Sequence, residues 1–441
     1  MIKVTSTPAD DKGCGWYHLS QKRKPRSSLK GIVQADWVVI GAGFTGLSAA
    51  RRLADNFPND NVLLIESQEV GYGASGRNSG FLIDLPHDIG APDYIGDVKT
   101  AGMYLKLNLA AQDILRGLIK KFDIDCKMDP AGKYQSAVEP RGLEILKSYM
   151  GGLDRLGQEY HIIEEEELSD HIGTRFYKRA LFTPGTILVQ PAALVKGLAE
   201  NLPKNVSLYE YTTITEFSAS RKGVILNTSD GAIINAKKLV LTNNAFASKF
   251  GYMKGKLLPI FTYSSMTRVL TEEEQQRLGG KATWGIIPAD PFGTTLRRTP
   301  DNRILVRNSF SYNNDGRSKP HLLPKVRNRH RRSYDNRFPM LPDVDFEYTW
   351  GGSLCMSRNH EGFFGELEPN VYGALCCNGL GTTKGTITGA LLADWLAGDK
   401  NEMIEFLLNS PNPISNPPEP FLSLGININL MVSQYRAGIE S

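Results

Sequence analysis

The feature that most constrains this fold is a glycine-rich turn, residues 41–46 (GAGFTG), between a short apolar run and a helical pattern. Residues 37–40 (WVVI) form an apolar run of the buried-strand type. Small and apolar residues then recur at helical spacing over residues 47–54, and a second apolar run, residues 61–65, ends at Glu66. The order strand, glycine turn, helix, strand predicts a β-α-β unit.

Each glycine of this turn has a physical role in binding a dinucleotide. Gly41 permits the tight turn, Gly43 lets the backbone approach a pyrophosphate, and Gly46 lets the helix pack closely on the strand. Free N–H groups at the helix start then face the phosphates. Glu66 lies 20 residues after Gly46, where a carboxylate can accept hydrogen bonds from the ribose hydroxyls. The string at residues 71–76 also matches GxGxxG, but it lacks a strand–helix context, so we do not expect it to bind phosphate.

The next segment, residues 73–81 (GASGRNSGF), resembles the flavin-contacting segment of the D-amino-acid oxidase superfamily of FAD-dependent amine and amino-acid oxidases. Residues 239–245 resemble that family's later strand in the nucleotide domain, and residues 206–217 resemble its adenine-contacting segment. Residues 378–385 (NGLGTTKG) resemble the glycine turn that covers the pyrimidine end of the flavin. The resemblance extends over nearly the whole chain and is greatest to γ-glutamylputrescine oxidase-like proteins.

The resemblance implies that FAD is the cofactor and that several segments contact it. The implied FAD-binding residues are Gly41, Gly43, Phe44, Thr45, Gly46, Glu66, Ser67, Gly73, Ala74, Ser75, Arg77, Asn78, Ser79, Gly80, Phe81, Ile214, Thr242, Asn243, Gly379, Leu380, Gly381, Thr382, Thr383 and Lys384. We expect FAD to be bound non-covalently. A covalent link through Cys355 is the alternative, because monomeric sarcosine oxidases attach flavin through a cysteine in a similar Cys-Met context.

The resemblance also implies an α/β fold class of the glycine/sarcosine oxidase type, with a Rossmann-like FAD-binding domain and an antiparallel-sheet substrate domain. The FAD-binding domain is discontinuous and is expected to comprise residues 1–89, 188–254 and 349–441. Residues 90–187 and 255–348 are expected to form the substrate domain.

Patterns within the expected substrate domain predict helices in its first part and strands in its second. Apolar residues at helical spacing predict a long helix that ends near Asp123. The predicted strands span residues 260–270, 294–298 and 303–310, with a turn at residues 300–302. Residues 317–337 contain eight Lys or Arg residues, but Leu322, Val326, His330 and Tyr334 mark one helical face. We therefore expect a solvated helix surface there rather than an anion- or nucleic-acid-binding patch.

The implied reaction is FAD-dependent oxidation of an amine or amino acid. Hydride passes from the carbon next to nitrogen to flavin N5, the resulting imine hydrolyses, and oxygen or another acceptor reoxidises the flavin. No second strand–GxGxxG–helix unit appears, so the substrate rather than NAD(P)H is expected to supply the electrons. Two alternatives stay open: oxidation of a hydroxy acid on the same fold, and a non-enzymatic protein that holds flavin.

Four residues are candidates for catalysis or for the substrate pocket: Lys384, Tyr263, Arg307 and Trp350. Lys384 would stabilise the anionic reduced flavin from the first turn of a helix, and a solvated lysine is the alternative. Tyr263 and Arg307, like Trp284 and Arg298, lie in the segments that form the pocket sheet in the family. The alternative for each is a side chain that faces the core or solvent. No residue stands out as the base for the amine proton.

The resemblance implies a small-molecule amine or amino-acid substrate, and the charge balance gives no reason to expect a nucleic-acid or membrane partner. With 51 Lys plus Arg against 47 Asp plus Glu, the net charge is only +4, so neither nucleic acid nor an anionic membrane is the expected partner. The five cysteines form no CxxC pair and the seven histidines form no cluster, so we expect no metal and a reduced, cytoplasmic protein. The sequence leaves the oligomeric state and the amine substrate open.

No stretch approaches the roughly 18 consecutive apolar residues of a membrane span, and residues 1–31 lack the apolar centre of a secretory signal. Five prolines between residues 411 and 420 predict an extended connector. It leads to a tail, residues 421–441, for which the FAD-binding domain is the candidate packing surface.

Overall fold

The computed structural model describes all 441 residues and divides most of their strands between two large sheets. The first sheet has nine strands: Ile2–Lys3, Ile32–Ile40, Val62–Ile65, Val206–Tyr209, Ile214–Ser220, Gly223–Thr228, Ile233–Leu241, Phe363–Glu368 and Val371–Leu375. Its centre is parallel. Ile32–Ile40 lies between Val62–Ile65 and Ile233–Leu241, and Val206–Tyr209 and Val371–Leu375 extend the parallel part on either side.

The predicted β-α-β unit is present, and its first strand is longer than predicted. The strand begins at Ile32, five residues before the apolar run at residues 37–40. Gln34 and Asp36 interrupt its first part, so the continuous apolar run begins only at residue 37, and residues 37–40 are buried on both faces. The helix Phe44–Asn56 and the strand Val62–Ile65 follow as expected.

Twelve α-helices and three short 3₁₀ turns complete the secondary structure. The helices are Gly15–Leu19, Phe44–Asn56, Ala74–Arg77, Val98–Phe122, Pro140–Leu156, Glu165–Ile172, Pro191–Glu200, Glu272–Leu278, Leu323–Arg337, Thr383–Leu396, Glu402–Asn409 and Phe421–Arg436, and the 3₁₀ turns are Asn244–Phe250, Pro320–Leu322 and Gly438–Glu440. None of these helices is both long and apolar enough to span a lipid bilayer.

Helices Phe44–Asn56 and Thr383–Leu396 pack side by side on the first sheet. Gly389 makes their close approach possible, because a Cβ atom at this position would lie 2.2 Å from the Thr45 carbonyl oxygen. Leu47, Leu53 and Leu391 belong to the largest buried apolar cluster, which lies between this helix pair, the long helix Val98–Phe122 and the sheet. The packing therefore holds the two glycine turns, which begin these two helices, in one rigid unit.

The second sheet has eight strands: Lys133–Ala137, His161–Glu164, Arg179–Thr183, Leu257–Thr267, Trp284–Pro288, Thr295–Arg298, Ile304–Tyr312 and Phe346–Ser357. All neighbours are antiparallel except Lys133–Ala137 and Trp284–Pro288, which pair in parallel and join the two expected parts of the substrate domain. Phe346–Ser357 crosses the boundary expected at residue 349 and pairs with Leu257–Thr267. A separate two-stranded ribbon pairs Phe81–Leu82 with Ile187–Leu188.

Local predictions in the substrate half agree with the structure to within a few residues. The long helix ends at Phe122, and Asp123 adopts a left-handed conformation with φ 50°. The predicted helix within residues 317–337 is Leu323–Arg337, with Val326, His330 and Tyr334 buried as expected. Asn302, in the predicted turn, has φ 56°.

The tail, residues 421–441, does not pack on the candidate surface, which was the FAD-binding domain. Helix Phe421–Arg436, which we call the C-terminal helix, contacts Ile304–Tyr312 of the second sheet rather than the first sheet. The sequence could not show this because the helix buries no residue fully and exposes most of its large apolar side chains, so their pattern does not identify the face that packs.

Candidate active site

A cavity of about 500 Å³ lies between the two sheets, and we call it the central cavity. Most of the implied FAD-binding residues line it: Gly41, Gly43, Phe44, Thr45, Glu66, Ser67, Gly73, Ala74, Ser75, Arg77, Asn78, Ser79, Phe81, Ile214, Thr242, Asn243, Gly379, Leu380, Gly381, Thr382 and Thr383. Segments that are distant in sequence therefore meet around one space. The cavity has the size of a small-molecule site.

The first glycine turn forms a backbone cradle at one end of the cavity. Gly41 has φ +99°, a conformation that favours glycine, and a Cβ atom on Gly43 would lie 2.6 Å from Ser75 Oγ. The Phe44 N–H donates to Ser75 Oγ at 3.1 Å, and the first helical hydrogen bond runs from the Leu47 N–H to the Gly43 carbonyl. The N–H groups of Gly41, Ala42 and Phe44 are bonded within the chain, so those of Gly43, Thr45 and Gly46 remain available for an anion, as a phosphate requires.

Glu66 is held at the end of its strand by backbone donors. One carboxylate oxygen accepts from the Ala42 N–H and the other from the Gln68 N–H, each at 3.0 Å. Burial raises the pKa of Glu66, and these backbone bonds oppose that rise. The carboxylate lines the cavity with remaining acceptor capacity, so it fits the hydroxyls of a ribose.

Asn243 gives an independent indication of a bound group. Both polar atoms of its carboxamide are buried and have no hydrogen-bond partner in the chain, although the residue lines the cavity next to Gly41. Buried amides are rarely left unpaired, because each unmade hydrogen bond costs free energy. The cradle, the carboxylate and this unpaired amide together fit a dinucleotide such as FAD.

Polar contacts made by Arg77, which belongs to the segment, and by Trp350 hold residues 73–81 in place. The buried Arg77 guanidinium forms an ion pair with Asp11 at 3.2 Å and donates to the Gly351 carbonyl at 3.0 Å. Trp350 is fully buried, and its Nε1–H donates to the Arg77 carbonyl at 3.0 Å. Trp350 does not line the cavity, so the structure corrects its predicted pocket role to a positioning one.

Asn78 lines the cavity, and its side chain bonds within its own segment. Its amide donates to the Ser75 carbonyl and accepts from the Gly80 N–H, each at 2.8 Å. Gly80 lies off the cavity, where a Cβ atom would sit 2.2 Å from the Val189 carbonyl oxygen. Gly46 is likewise a packing residue, because its Cβ would lie 1.8 Å from the Gly41 carbonyl oxygen. Gly46 and Gly80 therefore allow close packing around the cavity without lining it.

The second glycine turn closes the other side of the cavity. The Asn378 side chain accepts from the Ser357 N–H at 2.9 Å and donates to the His360 carbonyl at 2.8 Å, and Asn244 Oδ1 accepts from the Cys376 N–H at 2.8 Å. These bonds fix the turn that begins helix Thr383–Leu396. Lys384 points away from the cavity, with its ammonium 4.7 Å from the ring centre of Tyr104, so the predicted flavin-facing charge is not placed there.

The substrate end of the cavity is formed by the second sheet and the loop after residue 82. Its apolar lining is Phe81, Ile83, Ile89, Ile287, Pro288, Pro291, Phe292, Phe310 and Leu430. Arg307 lines this end, as predicted from its strand. Its guanidinium stacks near Phe310, 5.4 Å from the ring centre, and has no ion-pair or hydrogen-bond partner in the chain.

Tyr263 faces the opposite side of its strand. Ile260, Thr262 and Ser264 line the cavity, so Tyr263 points toward the helix Leu323–Arg337, and its hydroxyl bonds Ser311 Oγ at 2.7 Å. Trp284 and Arg298, the other two residues considered for the pocket, also lie away from the cavity. Trp284 stacks on Phe338, and Arg298 donates to the Gly279 carbonyl at 2.8 Å.

His87 is a cavity residue that the sequence analysis missed. Its ring stacks on Tyr94 with 4.4 Å between ring centres, and its nitrogens have no partner in the chain. It lies in a loop with no spacing to other histidines, so no motif marked it. His87 and Arg307 are the only ionisable groups other than cysteines at the substrate end.

The electrostatics of this end favour neutral or anionic ligand groups. Burial, together with the charges of Lys133 and Arg307, lowers the pKa of His87 to about 3. Burial lowers the pKa of Arg307 to about 10 and that of Lys133 to about 8. At neutral pH the imidazole is therefore uncharged and the guanidinium is cationic.

Cys355 and Cys377 line the cavity, whereas Cys376 packs in the apolar core beside Cys355. The adjacent residues 376 and 377 thus face different environments, as expected for neighbours near a strand end. A covalent flavin link through Cys355 stays a prediction.

Comparison with known proteins identifies the class. A family model described as FAD dependent oxidoreductase (DAO) matches residues 36–395, and the chain belongs to this family. The resemblance read from the glycine turns is confirmed, and the protein is an FAD-dependent oxidoreductase.

Among curated proteins, γ-glutamylputrescine oxidoreductase of Escherichia coli K12 is 27% identical over 411 residues, which cover 89% of this chain and 90% of that protein. Glycine oxidase from Geobacillus kaustophilus has a similar fold, with a TM-score of 0.71 at 18% identity over 87% of this chain and 100% of that one. Iminodiacetate oxidase from Chelativorans sp. BNC1 also has a similar fold, with a TM-score of 0.66 at 18% identity over 86% of this chain and 100% of that one. The predicted fold class is confirmed.

Proposed function

We propose that this protein oxidises an amine that also carries a carboxylate, with the carboxylate bound by Arg307. The observation that carries the proposal is the cationic guanidinium at the substrate end, which has no acceptor within the chain. A planar guanidinium binds a carboxylate through two parallel hydrogen bonds. The likeness to γ-glutamylputrescine oxidoreductase supports this choice, because γ-glutamyl amines combine an amine with a carboxylate.

The cavity end also suits the protonation state that amine oxidation needs. An ammonium group has no lone pair to assist departure of hydride from the adjacent carbon. Burial and the cations Arg307 and Lys133 disfavour an ammonium here, just as they hold His87 neutral. The neutral His87 imidazole can accept a hydrogen bond from the amine and hold its nitrogen against the apolar wall.

FAD supplies the two-electron acceptor when bound, and the first and second glycine turns, Glu66 and Asn243 would hold it. The chain's own contribution is to orient the substrate through Arg307, to keep its amine uncharged, and to exclude water with the apolar lining.

The test is an anaerobic screen for loss of the yellow flavin colour with matched pairs of compounds. γ-Glutamylputrescine and putrescine form one pair, and N-methylglycine and dimethylamine form another. We expect the carboxylate-bearing member of at least one pair to reduce the flavin at concentrations about 10-fold or more below its partner. Hydroxy acids serve as the contrasting class. If hydroxy acids reduce the flavin and amines do not, the proposal is refuted.

The variant Arg307→Met tests the role of this residue. We expect the half-saturating concentration of the carboxylate-bearing amine to rise about 10- to 150-fold, since a charged hydrogen-bonded pair contributes about 1.5–3 kcal/mol. Reduction by the carboxylate-free partner is the internal control and should change little. Equal losses for both members of a pair would contradict carboxylate binding at Arg307.

A further inference from the structure

The C-terminal helix, Phe421–Arg436, presents large apolar side chains to solvent on its outer side. Its inner side is partly buried, and Leu430 on that side lines the central cavity. Five large side chains on the outer side form what we call the outer stripe: Phe421, 68% exposed, Leu424, 60%, Ile428, 48%, Met431, 66%, and Tyr435, 87%. Contiguous exposed apolar surface of this kind marks an interaction site.

The spacing of the outer stripe fits another helix. The residues follow one another at intervals of three, four, three and four. This is the pattern in which apolar side chains stay on one seam and interlock with those of a facing helix. The helix is about 24 Å long, from a rise of about 1.5 Å per residue.

The exposed apolar residues of this helix are also arranged symmetrically about Ile428. In an antiparallel pair of identical helices centred on Ile428, Phe421 lies opposite Tyr435 of the second copy, Leu424 lies opposite Val432, which is 36% exposed, and Met431 lies opposite Gly425. Each contact then occurs twice, as a two-fold axis requires. A second copy of this chain is therefore a complementary occupant for the stripe.

Charges at the helix ends favour the same arrangement. Glu419 precedes the helix, Arg436 ends it, and both are exposed. Antiparallel pairing brings Arg436 of each copy near Glu419 of the other, whereas parallel pairing would bring like charges together. Such exposed pairs add little affinity but select orientation.

We propose that two copies of this protein form a two-fold symmetric dimer through antiparallel pairing of their C-terminal helices, with Ile428 at the axis. Because Leu430 of the same helix lines the central cavity, the dimer contact also supports the wall of the substrate end. Because each copy contributes a single helix, we expect the contact to be at the small end of specific interfaces, which bury roughly 1,200–2,000 Å² in total. We expect a dissociation constant on the order of 10 μM.

Sedimentation of the FAD-loaded full chain over a range of concentrations tests the dimer. The wild type should pass from monomer to dimer near the expected dissociation constant, and Ile428→Glu should stay monomeric at about 10-fold higher concentration. Ile225→Glu is the matched control, because Ile225 is an isoleucine of similar exposure, 46%, on the strand Gly223–Thr228. Both variants should match the monomeric wild type in melting temperature and flavin spectrum when all three are measured well below the expected dissociation constant. A monomeric wild type, or an Ile428→Glu variant that still dimerises, overturns the proposal.

Cysteine cross-linking tests the orientation. All five native cysteines are buried, so Ile428→Cys and Leu424→Cys each add the only exposed thiol. A short bis-maleimide should link Ile428→Cys to its own copy. Leu424→Cys should not self-link, because its two copies lie about 12 Å apart along the axis, but it should link to Val432→Cys in a mixture. Self-linking of Leu424→Cys instead would contradict the antiparallel pair. Monomers that float with anionic phosphatidylglycerol vesicles through the outer stripe would assign it to a membrane and overturn the dimer.

Discussion

Asn243 has a buried carboxamide without a partner in the chain, and this makes it a sensitive probe of FAD binding. The variant Asn243→Ala removes two unsatisfied polar atoms from the protein without cofactor but also removes their possible bonds to the cofactor. We expect FAD affinity to fall about 10-fold, while the cofactor-free protein loses no stability. Fluorescence titration with FAD and thermal unfolding of the cofactor-free protein measure the two effects.

Asn416 provides the control for this prediction. Its carboxamide atoms are also buried without partners, but it does not line the central cavity. Asn416→Ala should leave FAD affinity unchanged. Equal FAD affinity in Asn243→Ala and wild type would show that Asn243 does not contact the cofactor.

His330 links the helix Leu323–Arg337 to the second sheet and should make the protein sensitive to acid. Its Nδ1 bonds Ser265 Oγ at 2.7 Å, and burial lowers its pKa to about 3. The native imidazole stays neutral while the unfolded one, with a pKa of about 6.5, gains a proton below that pH. The unfolded state then binds more protons, so the free energy of unfolding falls as the pH drops from 6.5 toward 3, by about 2 kcal/mol at pH 5.

Urea unfolding at pH 7 and pH 5 measures this loss. His330→Gln should be less stable than wild type at pH 7, because its packing changes, but its stability should fall less between the two pH values. The exposed His161→Gln should show the wild-type dependence on pH. An unchanged pH dependence in His330→Gln would mean that other buried groups, such as His87, account for the acid sensitivity.

At the scale of elements, the contact between helices Phe44–Asn56 and Thr383–Leu396 should control both stability and cofactor affinity. Gly389→Ala places a methyl group 2.2 Å from the Thr45 carbonyl oxygen, so the helices must move apart. We expect a loss of about 1–3 kcal/mol in the free energy of unfolding. FAD affinity should also weaken, because each helix begins at one of the glycine turns. Chemical unfolding and FAD titration measure both.

Gly117 is the matched control in helix Val98–Phe122. A Cβ atom there would have no heavy atom within 4 Å, so Gly117→Ala should stabilise the protein by up to about 1 kcal/mol. If Gly389→Ala behaves like Gly117→Ala, the helix contact is softer than its geometry indicates.

Elements also show where sequence reasoning succeeds and where it stops. The β-α-β unit was predictable because its glycines, apolar strands and Glu66 all lie within one short segment. The direction of the Tyr263 side chain was not predictable. Side chains alternate between the two faces of a strand, but the sequence does not show which face is turned toward a cavity. Lys384 shows the same limit on a helix, because the pattern of the first turn does not tell which way its side chain points, and here it points toward Tyr104. His87 acquires its place only through tertiary contacts with Tyr94.

At the scale of the whole molecule, the central cavity depends on contacts between segments far apart in the chain. Gly41, Ser75, Arg307, Leu430 and the turn at residues 379–383 surround one space. No local pattern predicts such a meeting, and only the family resemblance indicated it for the FAD-binding part. Neither a local pattern nor the resemblance indicated that Leu430 lines the cavity. Its position depends on how the C-terminal helix is anchored.

Glu440 supplies that anchor. Its carboxylate accepts from the N–H groups of Val138 and Glu139, each at 2.8 Å, and its carbonyl accepts from the Thr294 N–H at 2.7 Å. Glu440→Ala removes the side-chain acceptor and leaves two partly buried donors unpaired, so we expect a loss of about 2 kcal/mol in the free energy of unfolding. The connector at residues 411–420 should also become more sensitive to protease, because the C-terminal helix will detach more often.

Urea unfolding and limited proteolysis with mass spectrometry of the fragments test this anchor, with Ile439→Ala as the control. Ile439 is the neighbouring residue and is 48% exposed, so its truncation should change neither stability nor cleavage. If Glu440→Ala matches Ile439→Ala, the contact with Ile304–Tyr312 alone holds the helix. If only Glu440→Ala is cleaved faster, the substrate end of the cavity owes its Leu430 wall to a carboxylate that no local sequence pattern marks.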